Sequence, residues 1–339
     1  MRPTNRYGIP VNNDEMPLHA SRRALAEESA AAAGTYRHLR MVLVGLPLLL
    51  FVSMIGWFLA GGGIATSLSA YYQGPLRDVF VGSLVAIGVC LVVHRGEPLE
   101  DYALNLAGFY AMFVAFVPFR LEETLPQMCD PTARLAELGL PADAAIDADA
   151  WAAACATDQH QVRIAITVAS IVVLMVAAAF MVTQRPGKHE ARILTGGRLT
   201  RLFFVTMTVA TVAFVALLAW RLIEQDSFSG IHEASATLLI AGLGTAVASR
   251  AWPSGRAAGD RPRPHYIVIF ALMAGGGVVL AGHFAGVTPW EHTVLVVEWW
   301  EIGLFAVYWV LETIRTWNDV ERLGNRDSLP GTPDPVLAQ

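Results

Sequence analysis

Charged side chains are scarce in this chain. Asp, Glu, Lys and Arg make up 16% of its 339 residues, whereas 54% of the residues are hydrophobic. No soluble domain of this size is expected to have that balance. Lysine is the scarcest charged residue, because Lys188 is the only one and it lies in a polar connection between two apolar stretches. A retinal-binding protein would need a lysine within an apolar stretch, so that class is excluded.

The sequence motifs of several enzyme classes are missing as well. The glycines at 61–63 and 275–277 belong to no phosphate-binding Walker motif, and the pair His232-Glu233 lacks the second histidine of HExxH. No GxSxG motif of a serine hydrolase occurs. We expect no nucleic-acid partner, because membrane topology accounts for the basic residues.

What the chain does contain is eight apolar stretches. About 20 apolar residues in a helix, at 1.5 Å each, cross a hydrocarbon core of ~30 Å. The pattern therefore predicts an all-α fold, a polytopic transmembrane helical bundle of about eight spans. The stretches are 40–60, 75–94, 103–119, 162–182, 202–220, 231–247, 266–286 and 293–312.

Basic residues alternate between the two sides of these stretches. Of the 24 Lys and Arg residues, only Arg77, Arg120, Arg134, Arg163 and Arg221 fall on one side. The positive-inside rule places the richer side in the cytoplasm. We therefore predict a multi-pass protein of the plasma (inner) membrane, with both termini cytoplasmic and membrane lipids as its partners.

The same pattern divides the chain into three parts. Residues 1–39 are predicted to form a cytoplasmic tail, 40–315 the transmembrane bundle, and 316–339 a disordered cytoplasmic tail, because prolines are frequent near the end and apolar residues are few. We expect no cleavable signal peptide, since the first apolar stretch follows a long polar segment and is long enough to remain as an anchor.

The longest connection, residues 120–161, is predicted to lie outside. It is rich in acidic residues and holds two of the three cysteines, Cys129 and Cys155. A loop exposed to an oxidising compartment favours a disulfide between them. Closing a loop of this length would contribute ~3 kcal/mol against the unfolded chain. The third cysteine, Cys90, lies within the second stretch and is predicted to pack there.

Two acidic residues lie inside the last stretch. If His292 marks its outer end, Glu298 lies roughly 9 Å and Glu301 roughly 13 Å deeper, on one helix face. Ionisable groups at such depth are costly in lipid and commonly functional. Two carboxylates so close together should not both stay ionised, unless a cation pairs with them. Interhelical hydrogen bonding is the structural alternative.

The seventh stretch offers a partner for these acids. His283 lies near its outer end, at a depth similar to that of Glu298, and the connection between the two stretches is short. Adjacent antiparallel helices would let the two side chains meet. We therefore predict that His283 and Glu298 are in contact at the outer end of a polar cavity, with Glu301 beneath them.

Other polar residues are predicted at the same outer level. Besides the polar residues of the last two stretches, the predicted set includes residues at the start of the second and sixth stretches and at the end of the fifth. The predicted cavity is an outer-face binding site formed by Tyr71, Arg77, Asp78, Arg221, His232, His283, His292, Glu298 and Glu301. For the tyrosines, an interfacial aromatic belt is the alternative explanation.

One segment carries resemblances to known membrane proteins. Ser67-Leu-Ser-Ala-Tyr-Tyr-Gln-Gly-Pro-Leu-Arg-Asp-Val-Phe-Val-Gly82, with Arg95-Gly96 and Asn105–Gly108, resembles a group of uncharacterised bacterial multispan proteins. Its serine before span two, with Pro and Phe inside, is similar to the DRAM-like membrane protein family. A further resemblance is to the ceramidase/progestin-receptor superfamily. That resemblance implies zinc as cofactor, with Ser67, Asp78, His232, His283 and His292 as candidates; the HxxxH of that family's last span is missing here.

Three functions remain open at this point. The first is binding of a lipid or amphiphile at the outer face, as a sensor or assembly factor. The second is a zinc-dependent membrane lipid hydrolase, which needs three ligands and an open metal position. The third is a proton-coupled transporter acting through Glu298 and Glu301, although the internal repeats common in transporters are not seen. Whether the protein is an enzyme is left open by the sequence.

Overall fold

The computed structural model describes residues 15–127, 129–131, 135, 141, 147–183, 193–224, 228–253 and 262–326, and over these residues all regular structure is helical. A short 3₁₀ helix, Ser69–Gln73, precedes α2. The α-helices are α1 Glu15–Leu59, α2 Arg77–Val93, α3 Pro98–Phe116, α4 Leu121–Gln127, α5 Ala148–Thr183, α6 Arg198–Glu224, α7 Ile231–Ala251, α8 Pro264–Phe284 and α9 Thr293–Arg326.

The eight apolar stretches of the sequence all coincide with helices. Six helices are long and apolar enough to cross a membrane by length and composition: α1 from Gly34, α5 from Asp149, α6, α7, α8, and α9 as far as Arg315. The exceptions are α2, which has 17 residues, and α3, whose first turn holds Glu100 and Asp101. The prediction of a helical membrane bundle is confirmed at this level.

The chain divides into two compact units. One comprises residues 1–42 and 309–339, and the other residues 43–308. In the smaller unit, Arg37 donates a hydrogen bond to the Trp317 carbonyl oxygen at 3.0 Å, and its guanidinium lies 4.7 Å from the Trp317 ring centroid. A cation over an aromatic face is a favourable contact. It joins α1 to α9 within this unit.

The larger unit is built around α3, which packs on α2 and α7. Close approach of α2 and α3 depends on two glycines. A Cβ on Gly88 would lie 3.0 Å from the Gly108 carbonyl oxygen, and one on Gly108 would lie 2.5 Å from the Gly88 carbonyl oxygen. Small residues at helix contacts are typical of membrane bundles, since they let backbones approach closely. Tyr110 and Phe113 of α3 are fully or almost fully buried.

Helices in the larger unit alternate in direction, which defines two ends. At the Glu298 end, α1, α3, α6 and α8 finish and α2, α5, α7 and α9 begin; the opposite end is the Arg250 end. Large apolar side chains on the outer helix faces are exposed, among them Val182, Ile223 and Val278, each more than 70% accessible. A surface of this kind suits contact with lipid chains rather than water.

The helices at both ends of the described chain extend into the predicted tails. The helix α1 begins at Glu15, so the described part of the N-terminal tail is helical and continuous with the first span. Likewise α9 extends to Arg326, so the chain is still helical well beyond residue 316, where disorder was predicted. Long apolar helices carry their flanking residues into the same helix, which composition alone does not show. Residues 1–14 and 327–339 lie outside the described residues.

The long connection contains the predicted disulfide. Cys129 and Cys155 are bonded, with their Cα atoms 5.7 Å apart. The indole of Trp151 donates a hydrogen bond to the Cys129 carbonyl oxygen at 3.1 Å. Both contacts join the start of α5 to the segment after α4. Cys90, near the end of α2, is a half-buried free thiol.

Candidate functional site

Three of the predicted site residues bind the backbone of one segment, between α1 and α2. Glu298 of α9 accepts a hydrogen bond from the Leu68 N–H at 2.7 Å. The Nδ1 atom of His292 lies 3.1 Å from the Ala65 carbonyl oxygen. The Tyr71 hydroxyl accepts a hydrogen bond from the Ala65 N–H at 3.2 Å. These polar groups anchor the chain itself, and their hydrogen-bonding capacity is used for that purpose.

The carboxyl group of Glu298 lies at the start of the short helix between α1 and α2. Leu68 is the residue that precedes the 3₁₀ helix Ser69–Gln73. The first N–H groups of a helix have no partner within it, and a negative charge is favourable there. The hydroxyls of Ser67 and Ser69, both buried, lie 3.1 Å apart beside it. Glu298 therefore acts as a cap supplied by a distant helix.

The predicted contact between His283 and Glu298 is not formed. The Nδ1 atom of His283 lies 2.6 Å from the Thr288 carbonyl oxygen, in the turn that follows α8. Glu298 instead faces Leu68. The prediction rested on matching the two residues in depth, but depth does not determine the direction in which a helix presents a side chain. That direction is set by helix rotation, and here the two groups have separate partners.

His232 is buried at the start of α7, and its exposed fraction is 3%. Its Nδ1 atom lies 2.6 Å from the carbonyl oxygen of Val117, the residue after the end of α3. Its ring also contacts Phe119, with centroids 5.7 Å apart. The last carbonyls of a helix lack partners within the helix. A neutral imidazole donating from Nδ1 would satisfy this one, so the role is structural.

The remaining outer residues lie apart from these. Arg77 donates a hydrogen bond to the Tyr72 hydroxyl at 3.2 Å and lies over that ring, while Asp78 is exposed in the first turn of α2. Arg221 forms an ion pair with Glu224 at 3.3 Å, at the end of α6. None of these contacts joins the predicted residues around one outer cavity, and that cavity stays a prediction. Most of these polar groups bind neighbouring backbone or side chains instead.

A groove of about 470 Å³ lies elsewhere, within the apolar part of the bundle. Its volume is in the range of small-molecule sites, roughly 300–1,000 Å³. Four helices contribute to it, and most of the lining is apolar. The lining includes Phe203 and Met207 of α6, Ile240 and Gly244 of α7, Met273, Gly277 and Phe284 of α8, and Val297 and Glu301 of α9.

Glu301 is the one ionisable side chain among the described residues that line this groove. Its exposed fraction is 1%, and within the described part of the chain neither carboxyl oxygen has a hydrogen-bond partner. The carboxyl lies against Gly276 of α8, where a Cβ would collide with Oε1. Glu301 is about 12 Å along α9 from its first residue, so it lies deep in the apolar region. The prediction that Glu301 shares a polar cavity with Glu298 is wrong, because its surroundings are apolar.

A second group of buried charges occupies the Arg250 end. Glu100 of α3 is fully buried. Its carboxylate lies 2.5 Å from Nη2 of Arg250 and accepts a hydrogen bond from the Tyr308 hydroxyl at 2.5 Å. Arg250 also contacts Glu97 at 2.9 Å. Arg250, Tyr308 and the backbone N–H of Glu97 thus satisfy Glu100, which links α3 to α7 and α9.

The sequence did not single out this group. Glu100 lies before the predicted third span, which was placed at 103–119, and Arg250 lies after the predicted sixth span, which was placed at 231–247. Arg250 was counted as a topology signal. A capping box at the start of α3, in which Glu97 and Glu100 exchange hydrogen bonds with each other's backbone, was the available clue. It would have extended α3 back to Pro98 and placed Glu100 within the bundle.

The residues predicted for zinc do not converge. His232, His283 and His292 contact three different carbonyl oxygens. In the described ranges no group of three or more His, Cys, Asp or Glu residues is placed to hold a metal ion. The three-ligand set that a zinc hydrolase requires is therefore not assembled by these residues.

Comparison with protein-family models, curated protein sequences and solved structures finds no match for this chain. The resemblances of the 67–108 region accordingly stay predictions. The features that bear on function are the groove, Glu301 and the distribution of charge.

Proposed function

We propose that this protein is a multi-pass plasma-membrane protein of eight spans, with both termini in the cytoplasm. Two observations support the proposal. All eight apolar stretches coincide with helices, and inside one unit α2 packs on α3, which in turn packs on α5, α6 and α7. The excess of Lys and Arg on the side of the Arg250 end supplies the orientation. The Glu298 end would then face outward.

Within that frame, we propose that the protein binds a lipid-soluble amphiphile in the groove formed by α6–α9. The observation that carries this proposal is Glu301, a buried carboxyl at the wall of an apolar cavity that has no hydrogen-bond partner among the described residues. A buried polar group left unsatisfied costs roughly 2–7 kcal/mol. Such a group is expected to have either a bound partner or a function that requires it.

A role as sensor or assembly factor fits the groove better than catalysis does. Hydrolysis requires at least a nucleophile or activated water together with an acid or base. Among the described lining residues, the groove offers one carboxyl and the hydroxyls of Thr206, Thr237 and Thr245. The Thr245 hydroxyl already donates to the Ala241 carbonyl oxygen at 2.7 Å. Binding is the chemistry that this set supports.

Proton-coupled transport is a second candidate, and the same carboxyl favours it. A carboxyl deep in the apolar region could take up and release a proton. Glu298, the other acid proposed for that role, already accepts a hydrogen bond from the Leu68 N–H. Transport would make proton uptake by liposomes depend on Glu301 and on a gradient of the carried molecule. Amphiphile binding alone predicts no such uptake.

The binding proposal can be tested with a hydrophobic photoprobe, a sixteen-carbon chain bearing a diazirine, on the full chain in lipid nanodiscs. Gly277 lines the groove, and a Cβ there meets nothing within 4 Å. Gly277→Leu should therefore fill the groove without displacing a helix. Gly275 is equally open on the same helix but does not line the groove, so Gly275→Leu is the matched control.

We expect saturable labelling of α6–α9 peptides in the unmodified protein and in Gly275→Leu, and a loss of about tenfold in Gly277→Leu. Excess unlabelled chain should compete for the saturable fraction. Labelling that is proportional to probe concentration and equal in both variants would indicate lipid-facing surface only. That result would contradict the proposal.

A further inference from the structure

The surroundings of Glu301 restrict the chemistry of a molecule that would bind in the groove. We propose that the groove binds a single-chain, lipid-soluble molecule whose polar group is uncharged, a hydroxyl or a carbonyl, and that Glu301 binds this group in its neutral, carboxylic acid form. This inference rests on the proposed function, and it adds the class of ligand.

The charge of the groove excludes anionic membrane headgroups. No cationic side chain is present among the described residues that line the groove. A phosphate or carboxylate headgroup would therefore be placed beside another acid, with no counter-ion. Burial of an anion without a partner is strongly unfavourable in an apolar medium. Anionic headgroups are excluded on this ground.

A cationic headgroup is disfavoured as well. It would require Glu301 to be ionised, and an ion pair in the apolar region is stable only if further hydrogen bonds satisfy the remaining oxygen lone pairs. Neither oxygen of Glu301 has such a donor among the described residues. Glu100 shows the contrast within the same fold, since Arg250, Tyr308 and a backbone N–H all contact its carboxylate. A neutral acid donates one hydrogen bond, which a ligand hydroxyl or carbonyl can accept, and its own carbonyl oxygen can accept one from a ligand hydroxyl.

The protein holds the carboxyl in a defined place. Glu301 lies against Gly276, where any Cβ would occupy the position of Oε1. Its neighbour Trp300 donates from Nε1 to the Leu272 carbonyl oxygen at 3.2 Å. This hydrogen bond ties α9 to α8 one turn from Gly276. The acid is therefore preorganised, which lowers the entropic cost of binding a polar group.

The size of the groove and the position of Glu301 along it restrict the occupant further. The groove of about 470 Å³ lies in the lower half of the range of small-molecule sites, roughly 300–1,000 Å³, and this size suits a single chain. Phe270 and Phe284 mark its limits along α8, six residues before and eight residues after Gly276. That places about 9 Å and about 12 Å of apolar wall on the two sides of Glu301. Glu301 therefore contacts the polar group of the occupant partway along the groove, with apolar groove surface on both sides of this contact.

The test uses three photoprobes of equal chain length: hexadecanol, hexadecane and hexadecyltrimethylammonium, each bearing a diazirine. In the unmodified full chain in nanodiscs, the alcohol should compete for the saturable site about fivefold to tenfold better than the hydrocarbon, the range expected for a hydrogen bond. The ammonium probe should compete no better than the hydrocarbon. This comparison needs no variant, so it stands even if a substitution impairs folding.

Two substitutions then separate charge from hydrogen bonding. Glu301→Gln keeps a donor and an acceptor without charge, so it should retain the preference for the alcohol within about twofold. Glu301→Leu keeps the approximate size and removes both, so it should abolish the preference while leaving hydrocarbon labelling unchanged. Gly277→Leu should reduce labelling by alcohol and hydrocarbon alike.

The outcomes distinguish this inference from the function on which it rests. Saturable labelling that is sensitive to Gly277→Leu but shows no preference for the alcohol would overturn the ligand class and leave the groove as a lipid site. A stronger signal from the ammonium probe, lost in Glu301→Gln, would overturn it in favour of an ionised Glu301. Absence of any saturable labelling would overturn the proposed function itself.

Discussion

The Nη2 atom of Arg250 lies 2.5 Å from a carboxyl oxygen of Glu100, whose side chain is fully buried. The pair connects α3 to α7. Glu97 binds the same guanidinium at 2.9 Å, but its side chain is 39% accessible. One cation therefore contacts one buried and one partly exposed acid. The two contacts differ in what their loss should cost.

Breaking the buried half of this pair should destabilise the protein strongly. Arg250→Met leaves the Glu100 carboxylate buried without its cation, and the loss of one partner of a buried ion pair lowers the free energy of unfolding by about 3–5 kcal/mol. Glu97→Gln, at the accessible acid, should cost only about 0–1 kcal/mol. Unfolding free energies in mixed detergent micelles provide the comparison. The double variant Glu100→Gln, Arg250→Met should be more stable than Arg250→Met alone, since no charge is stranded; equal stability would show that the ion pair is not the cause.

Glu298 should prove structural rather than catalytic. Its carboxylate binds the Leu68 N–H, and the amide oxygen of Gln can accept the same hydrogen bond. We therefore expect the free energy of unfolding of Glu298→Gln to lie within about 1 kcal/mol of that of the unmodified protein. Glu298→Leu leaves the N–H unsatisfied, which should lower the free energy of unfolding by about 1–3 kcal/mol. Thermal unfolding in detergent micelles measures both. Equal losses in the two variants would mean that charge, and not the hydrogen bond, holds the segment.

Composition and periodicity predicted the helices well, because twenty apolar residues have few alternatives in a membrane. The depth of Glu301 followed from counting along a helix, and its burial agrees with that count. The partners of buried groups were not predictable in the same way. His283 and Glu298 were matched in depth, but helix rotation turned each to a different backbone group. Rotation depends on packing against several helices at once, and a sequence pattern does not contain it.

Span boundaries were the other source of error. Charged residues at the end of an apolar run were interpreted as interfacial, which is usually correct for Lys and Arg. Glu100 and Arg250 break that rule because each neutralises the other inside the bundle. An acid and a base at the ends of separate helices could have been paired only by knowing that α3 and α7 are neighbours.

The disulfide should link the long connection to α5 in the mature protein. Non-reducing peptide mapping is expected to recover Cys129 joined to Cys155. Loss of the bond in a Cys129→Ser, Cys155→Ser variant should lower stability by about 2–4 kcal/mol, the usual range for a disulfide. Cys90→Ser provides the control, since that cysteine is a free thiol. Two free thiols in protein taken from an oxidising compartment would contradict the bond.

Topology can be checked by thiol labelling on a Cys90→Ala background. A cysteine at Ser328 should react only after the membrane is permeabilised, because the rule of cytoplasmic positive charge places the C-terminus inside. A cysteine at Val287, 74% accessible in the turn between α8 and α9, should react from outside. The opposite pattern would invert the orientation, and labelling of both residues from one side would refute eight spans.

Glu301 should react selectively with an apolar carbodiimide. The carboxyl oxygen adds to the carbodiimide carbon while the acid proton moves to nitrogen, so the neutral acid is the reactive form. The side chain of Glu301 is 1% exposed and has no partner among the described residues, and a charge there would be costly. We expect dicyclohexylcarbodiimide to modify the Glu301 peptide, and Glu301→Gln to remove that product. Glu298, bound to an N–H, should react more slowly.

A water-soluble carbodiimide serves as the control for this reaction. It should modify exposed acids such as Glu291, whose side chain is 73% accessible, and leave Glu301 intact. Prior addition of hexadecanol should protect Glu301 from the apolar reagent more than hexadecane does, because the alcohol is expected to occupy the carboxyl itself. Mass spectrometry of the α9 peptides measures each case. Preferential modification of Glu298, with Glu301 unreactive, would show that Glu301 is ionised or inaccessible and would contradict a neutral acid in the groove.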